Sequence, residues 1–208
     1  LIVLGWVALT AQAQDIIIEG LVGDADRGKA KTETCVACHG LDGKGITPDI
    51  PNIGGQFEAY LLEELLEYKV SASGIEGEGR PNPIMMSMVA PLSEQDLADL
   101  AAYYAAQEVV VGEADPDLVD WGEKIYRGGI VNEQVPACIA CHGPQGEGNE
   151  LAAFPKLSGQ NALYVVNSLK AFKEGERAGG PNGMMHSVVH HMTTYDMEAV
   201  ASYIQGLH

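Results

Sequence analysis

Apolar residues recur at helical spacing along most of this chain. Phe57, Leu61, Leu62, Leu65 and Tyr68 share one face of the segment 57–68, which is therefore expected to be an amphipathic helix. The segment 162–172 is its counterpart. Ser93-Glu94-Gln95-Asp96 opens another helix, with Ser93 as N-cap and Asp96 three residues on, close to a capping box; it should run to about Gln107. A matching helix is expected from Thr193 to Gln205, with Gly206 as its stop signal, and a short one over Asp120–Arg127. Strand-like alternation is nearly absent, and glycine-rich loops carry the rest. The fold class is all-α.

The pattern occurs twice. Cys35, Cys38 and His39 repeat as Cys138, Cys141 and His142, followed by Gly40, Gly43, Gly45 and Gly143, Gly146, Gly148. Pro51-Asn52-Ile53-Gly54-Gly55-Gln56 with Tyr60 repeats as Pro155-Lys156-Leu157-Ser158-Gly159-Gln160 with Tyr164. Asp96, Leu97, Ala101 and Tyr103 recur as Asp196, Met197, Ala201 and Tyr203, at an offset of 100. The chain is thus two copies of a unit of about 90 residues, too small to be comfortable alone. The expected domains are 15–110 and 116–208, joined by a linker at 111–115. Residues 1–14 read as a signal-peptide remnant, because an apolar run ends in Ala11-Gln12-Ala13, an A-x-A cleavage pattern. An uncleaved membrane anchor is the alternative, although the visible run falls far short of the ~20 residues a span needs.

The 208 residues carry a net charge of −17, which argues against nucleic acid as a partner and fits a soluble protein with a basic or patchy one. The acidity is uneven: −11 over residues 15–111 and −6 over residues 112–208. Aromatic residues are only 6%, so something other than Phe and Trp must fill part of the interior.

The cysteines supply it. Cys35-Val36-Ala37-Cys38-His39 and Cys138-Ile139-Ala140-Cys141-His142 are both C-x-x-C-H, the attachment signature of haem c, and they use every cysteine in the chain. Two thiols add across the haem vinyl groups, and the following histidine, His39 or His142, is placed to bind iron. A shared zinc site would have to join pairs about 100 residues apart and would leave both histidines unexplained. A thioredoxin-like motif would need a preceding strand, and none is visible. Two covalent haem c groups are the expected cofactors. Bacterial haem c is attached outside the cytoplasm, so the periplasm is the expected compartment.

A sixth iron ligand closes the site to small molecules and makes it an electron carrier; thioether sulfur raises the potential. Met85, Met86, Met88, Met184, Met185 and Met192 are the candidates. At the offset that aligns the last helices, only Met85 and Met185 coincide, while Met86 meets His186, Met88 meets Val188, Met184 meets Ile84 and Met192 meets Leu92. Met85 and Met185 are therefore the expected ligands, with Met88, Met192 and Met197 as core fillers. His186, His190, His191 and His208 read as surface histidines; a bis-histidine haem through His186 or His190 is the rival, but Met86 and Ala90 stand at those places in the first copy. Glu63, Glu64 and Glu67 read as a solvated helix face, with an acidic docking surface as the alternative.

Together these residues resemble the di-haem cytochrome c4 family. The likeness rests on both C-x-x-C-H-G motifs, both P-x-[IL]-x-G-Q segments, Pro91-Leu92-Ser93, the run Trp121–Gly129 and the closing Ser202–His208. The resemblance implies two tandem class I cytochrome c domains facing each other across a pseudo-two-fold axis, with haem propionates near the interface. It implies Met85 and Met185 as axial ligands, and the Pro51 and Pro155 carbonyls as acceptors that orient the haem-ligating histidines. His190-His191 and the run Pro81-Asn82-Pro83, expected to stiffen the loop before Met85, depart from the family pattern. The function implied is periplasmic electron transfer, from a cytochrome bc1-type quinol-oxidising complex to a cbb3-type or related terminal oxidase. The di-haem subunit of a flavocytochrome c sulfide dehydrogenase-like enzyme is the alternative, and a di-haem peroxidase a third reading that paired methionines disfavour. Membrane association, through a partner or an uncleaved N-terminus, stays open.

Overall fold

The computed structural model describes residues 21–75, 78–178 and 183–208. The expected signal remnant at 1–14 lies outside them. Among the described residues five α-helices are followed by five more in the same order. The first set is α1 (Ala25–Lys29), α2 (Val36–His39), α3 (Glu58–Ala72), α4 (Pro83–Val89) and α5 (Glu94–Ala105). The second set is α6 (Val119–Gly128), α7 (Ile139–His142), α8 (Ala162–Glu174), α9 (Met184–Val189) and α10 (Thr194–Gly206). Among the described residues the only β pairing is two isolated bridges, Ile130 with Val135 and Asn149 with Phe154.

The helix boundaries follow the local chemistry. Both α5 and α10 begin with complete capping boxes, Ser93 with Asp96 and Thr193 with Asp196. Gly206 is the last helical residue of α10, and the chain turns extended at Leu207. The Pro81-Asn82-Pro83 run starts a helix rather than stiffening a loop: Asn82 Oδ1 accepts from the N–H groups of Ile84 and Met85, and Pro83 occupies the first turn of α4, where its missing N–H costs nothing.

Each half is held by one close helix crossing, α1 on α5 and α6 on α10. A Cβ at Gly28 would lie 1.9 Å from the Asp99 carbonyl oxygen, and one at Gly122 would lie 2.1 Å from that of Ala199. Only glycine lets the backbones approach this far. The two crossings differ in chemistry at one buried position, Asp99 against Ala199. Asp99 is 0% exposed and accepts from the Asp24 N–H, Arg27, Lys31 and Gln95, tying α1 down by charge-assisted bonds. Its counterpart Ala199 is equally buried but apolar.

In the first half the buried apolar residues form two groups. Leu61, Leu100, Ala101, Tyr103 and Tyr104 pack with Cys35, while Leu66, Tyr68, Val89 and Leu97 pack with Met85. In the second half one continuous group includes Ile125, Tyr126, Val166, Val189, Met197 and Val200, with Cys138 and Met185 at its margin. Met192 and Met197 are core residues as expected, but Met88 is 38% exposed and is not.

Candidate haem sites

Each C-x-x-C-H motif is a single helical turn. In α2 and α7 the histidine follows its second cysteine directly and turns inward: His39 is 8% and His142 7% exposed. None of the four cysteines is in a disulfide. Burial pushes the Cys35 thiol up, and it pushes Cys138 up to about 11. The turn ends at Gly40 and Gly143, whose φ values of 67° and 79° are left-handed and suit glycine. The last helix pins this loop, since Tyr103 donates to the Leu41 carbonyl and Tyr104 to that of Gly40. In the second half Tyr126 of α6 does so, donating to the Gly143 carbonyl at 2.7 Å.

The two histidines are oriented alike. His39 Nδ1 lies 3.2 Å from the Pro51 carbonyl oxygen, and His142 Nδ1 lies 2.9 Å from that of Pro155. A carbonyl only accepts, so Nδ1 carries the proton and Nε2 keeps its lone pair. Burial lowers the pKa of both imidazoles, opposed by the proline carbonyls, so each ring is neutral and ready to bind a metal. Met85 and Met185 are half-buried and pack against the apolar residues of their own halves, Met85 on the group that does not include Cys35. The structure thus brings each Cys-Cys-His set and its proline together, and gives both methionines the same place in the helix order.

The sequence reading missed how the halves are joined. Gln56 and Gln160, the last residues of the two P-x-[IL]-x-G-Q segments, reach across to each other's domain. Gln56 Nε2 donates to the Lys156 carbonyl at 2.9 Å, and Gln56 Oε1 accepts from the Lys156 N–H at 3.0 Å. Gln160 makes the same pair with Asn52, at 2.8 Å for both bonds. The Asn52 amide donates to the Gly159 carbonyl, and Lys156 Nζ donates to that of Gly55. Residue i meets j as j meets i, which is the signature of a two-fold axis. The repeated glutamine was visible in the sequence, and its recurrence at the same place in both segments was the available signal.

A second layer of the interface is charged. Tyr60 and Tyr164 are equivalent, and each accepts from an arginine of the opposite half: Arg177 to Tyr60 at 2.8 Å, and Arg80 to Tyr164 at 3.2 Å. Glu64 bridges both arginines. This corrects the reading of Glu64 as part of a solvated face: it sits one turn beyond Tyr60 and faces the other domain, while Glu63 is exposed. Burial pushes the Glu64 carboxyl up, but Arg177 and Arg80 outweigh it and hold it at about 2. The cluster keeps an excess of positive charge, and Arg177 Nε is buried without a partner. An orphaned guanidinium nitrogen in a pair of arginines that share one carboxylate fits an anionic ligand, and the carboxylates of a haem are of that kind.

The cytochrome c family model matches residues 25–106 and 121–208. The chain is 47% identical over 189 residues to cytochrome c4 of Stutzerimonas stutzeri, covering 89% of this chain and 90% of that one. It is 35% identical over 179 residues to the thiosulfate dehydrogenase electron acceptor of Thiomonas intermedia, covering 82% of this chain and 77% of that protein. The crystal structure of reduced recombinant cytochrome c4 from Pseudomonas stutzeri superposes with a TM-score of 0.87 at 46% identity, covering 90% of this chain and 100% of that one. With two cytochrome c domains, each carrying its own C-x-x-C-H motif for one covalent haem c, the chain belongs to the cytochrome c4 family of di-haem electron-transfer proteins.

Proposed function

We propose that the protein is a periplasmic carrier that takes electrons from a cytochrome bc1-type quinol-oxidising complex and delivers them to a cbb3-type or related terminal oxidase. Each bound haem c supplies one reversible Fe(III)/Fe(II) couple. His39 and Met85 hold the first iron, and His142 and Met185 the second. Pro51 and Pro155 orient the two histidines through their Nδ1–H groups, which fixes the tautomer and makes Nε2 the better donor. Burial of His39 and His142 excludes water from the proximal side. Arg80 and Arg177 offer positive charge at the interface for haem carboxylates. Residues 1–14 are the remnant of a secretion signal, a reading supported by the Ala11-Gln12-Ala13 cleavage pattern; among the described residues no helix is long and apolar enough to cross a membrane.

The observation that carries this reading is the reciprocal Gln56/Gln160 frame. It locks two redox domains face to face, as a carrier needs if an electron is to enter at one end and leave at the other. The test is a reconstitution. The purified holo-protein is mixed with quinol and a bc1-type complex, then with a cbb3-type oxidase. Fast reduction in the first step and fast reoxidation in the second, both falling as salt rises, are the expected result. Reduction no faster than by quinol alone refutes the donor, and failure of the oxidase to reoxidise refutes the acceptor. A second reading takes the donor to be a sulfur-compound dehydrogenase, supported by the likeness to the thiosulfate dehydrogenase electron acceptor. It predicts reduction by that enzyme with thiosulfate and no quinol.

A further inference from the structure

His186 of α9 and His190 and His191 just beyond its end have no part in holding either haem as assigned above, yet they sit together. His186 and His190 lie four residues apart, and His190 continues the helix in right-handed backbone (φ −52°, ψ −40°). Their rings therefore stand on one face, one turn apart. Their centroids are 5.5 Å apart, and those of His190 and His191 are 4.9 Å apart. All three side chains are exposed.

We propose that His186 and His190 form a surface chelate for a divalent borderline metal ion, Cu(II) above all, with water completing its coordination. Three observations support it. The first is spacing. With metal–nitrogen bonds of about 2.0–2.1 Å, two imidazoles bound cis at a tetragonal or tetrahedral angle would have centroids roughly 4.5–5 Å apart, within a small side-chain adjustment of the separation present. The second is orientation. His186 Nδ1 lies 2.8 Å from the Phe172 carbonyl oxygen of α8, so Nδ1–H donates and Nε2 keeps its lone pair. A histidine that binds metal almost always donates its other N–H in this way, which fixes the tautomer and raises ligand basicity. The third is asymmetry. Met86 and Ala90 occupy the corresponding places in α4, so the pair is not a leftover of the repeated haem-binding unit.

The ligand count sets the metal class. Among the described residues no group of three or more His, Cys, Asp or Glu is gathered into a cage, so a closed structural zinc site is not what is built. Two imidazoles with open positions suit Cu(II), Ni(II) and Zn(II), and for a given nitrogen site Cu(II) binds most tightly. His191 adjoins His190 edge-on at the next position in the chain, so it is not on the shared face.

The test titrates the ferric holo-protein with Cu(II) and separately with Zn(II). Calorimetry reads stoichiometry and affinity, and electron paramagnetic resonance reads the copper signal apart from that of low-spin haem. One tight site per chain is expected, with Cu(II) bound more tightly than Zn(II) and nitrogen splitting in the copper spectrum. His186→Gln and His190→Gln should each weaken it by more than the roughly 10–100-fold that a lost outer-shell partner costs. His191→Gln and His208→Gln should leave it in place, and the methionine–iron charge-transfer band should persist in all four variants. A site that survives in the His186→Gln/His190→Gln double variant overturns the proposal, as does a copper spectrum with only oxygen ligands. Equal loss in the His191→Gln variant overturns the two-ligand assignment.

Discussion

Replacing Glu64 with glutamine tests the electrostatic account of the interface. Glutamine keeps the size and the hydrogen-bonding ends of the side chain but removes its charge. Two arginines then remain in the interface, Arg177 8% and Arg80 16% exposed at the side chain, without the carboxylate that bridges them. The cost follows from linkage. Lowering a carboxyl from an ordinary 4.5 to about 2 corresponds to roughly 3 kcal/mol of stability at neutral pH. The Glu64 side chain is 19% exposed, so solvent screens little of this. An independent figure agrees: removing one partner of a buried ion pair typically costs about 3–5 kcal/mol.

The sign gives a second check. The folded-state pKa is depressed, so the contribution is complete above the unfolded value of 4.5 and is lost as pH falls toward about 2. Urea unfolding of wild type and Glu64→Gln should therefore differ by roughly 3 kcal/mol at pH 7, and the difference should shrink through pH 4 and nearly vanish near pH 2. Low pH disturbs other groups as well, but equally in both proteins. Because the carboxylate joins the two domains, the variant should also unfold in two steps more widely separated than in wild type. A difference below about 1 kcal/mol at pH 7, or one that does not change between pH 7 and pH 3, refutes the argument.

Met85→Ala and Met185→Ala should each abolish half of the methionine–iron charge-transfer band and open one iron to carbon monoxide or imidazole; unchanged low-spin spectra in both refute the ligand assignment. Gly122→Ala forces a methyl group to 2.1 Å from the Ala199 carbonyl oxygen and should lower the stability of the second domain by about 1–3 kcal/mol or more, read as an earlier thermal transition. Gln56→Ala and Gln160→Ala each remove two interdomain hydrogen bonds and should cost about 1–3 kcal/mol, and the double variant should expose the interface to hydrogen exchange. Glu64→Gln should also raise at least one haem potential in a spectroelectrochemical titration, because a buried negative charge favours the ferric state; two unchanged potentials would show that Glu64 acts on structure alone.

What was legible in the sequence is what local chemistry decides. Two C-x-x-C-H motifs, the Ser93–Asp96 helix start and one repeated amphipathic helix each depend on residues within a few positions of one another, and the structure has all of them. The interface was not legible, because its partners are polar and distant. Gln56 and Gln160 repeat in the sequence, but nothing local says that each answers the other's backbone. Arg80 and Arg177 are harder still. They do the same work, yet they fall at no shared offset, since the connection between the third and fourth helices of each half differs in length. Glu64 was misread because a helix pattern reveals only the apolar face. Tyr60 and Glu64, on a second face, are polar and buried only because another domain covers them.

The interface separates two tasks that a duplicated domain must perform together. Its frame is symmetric: glutamine to backbone twice, tyrosine to arginine twice, each from the opposite half. Symmetry of this kind fixes distance and orientation, since every contact is made twice and an error in one is opposed by its twin. A wholly symmetric frame would also make the two redox sites equivalent, and equivalent sites give an electron no direction. Charge breaks the symmetry without moving the frame. Glu64 faces the axis in the first half where the repeat puts Ser168 in the second, and Asp99 lies buried where the second half has Ala199. Both acidic residues belong to the copy that carries −11 rather than −6. The first domain therefore carries more negative charge than the second and places its buried carboxylates differently while sharing its geometry. That is the arrangement expected of a carrier whose two ends must differ in potential or in partner, yet stay at a constant separation.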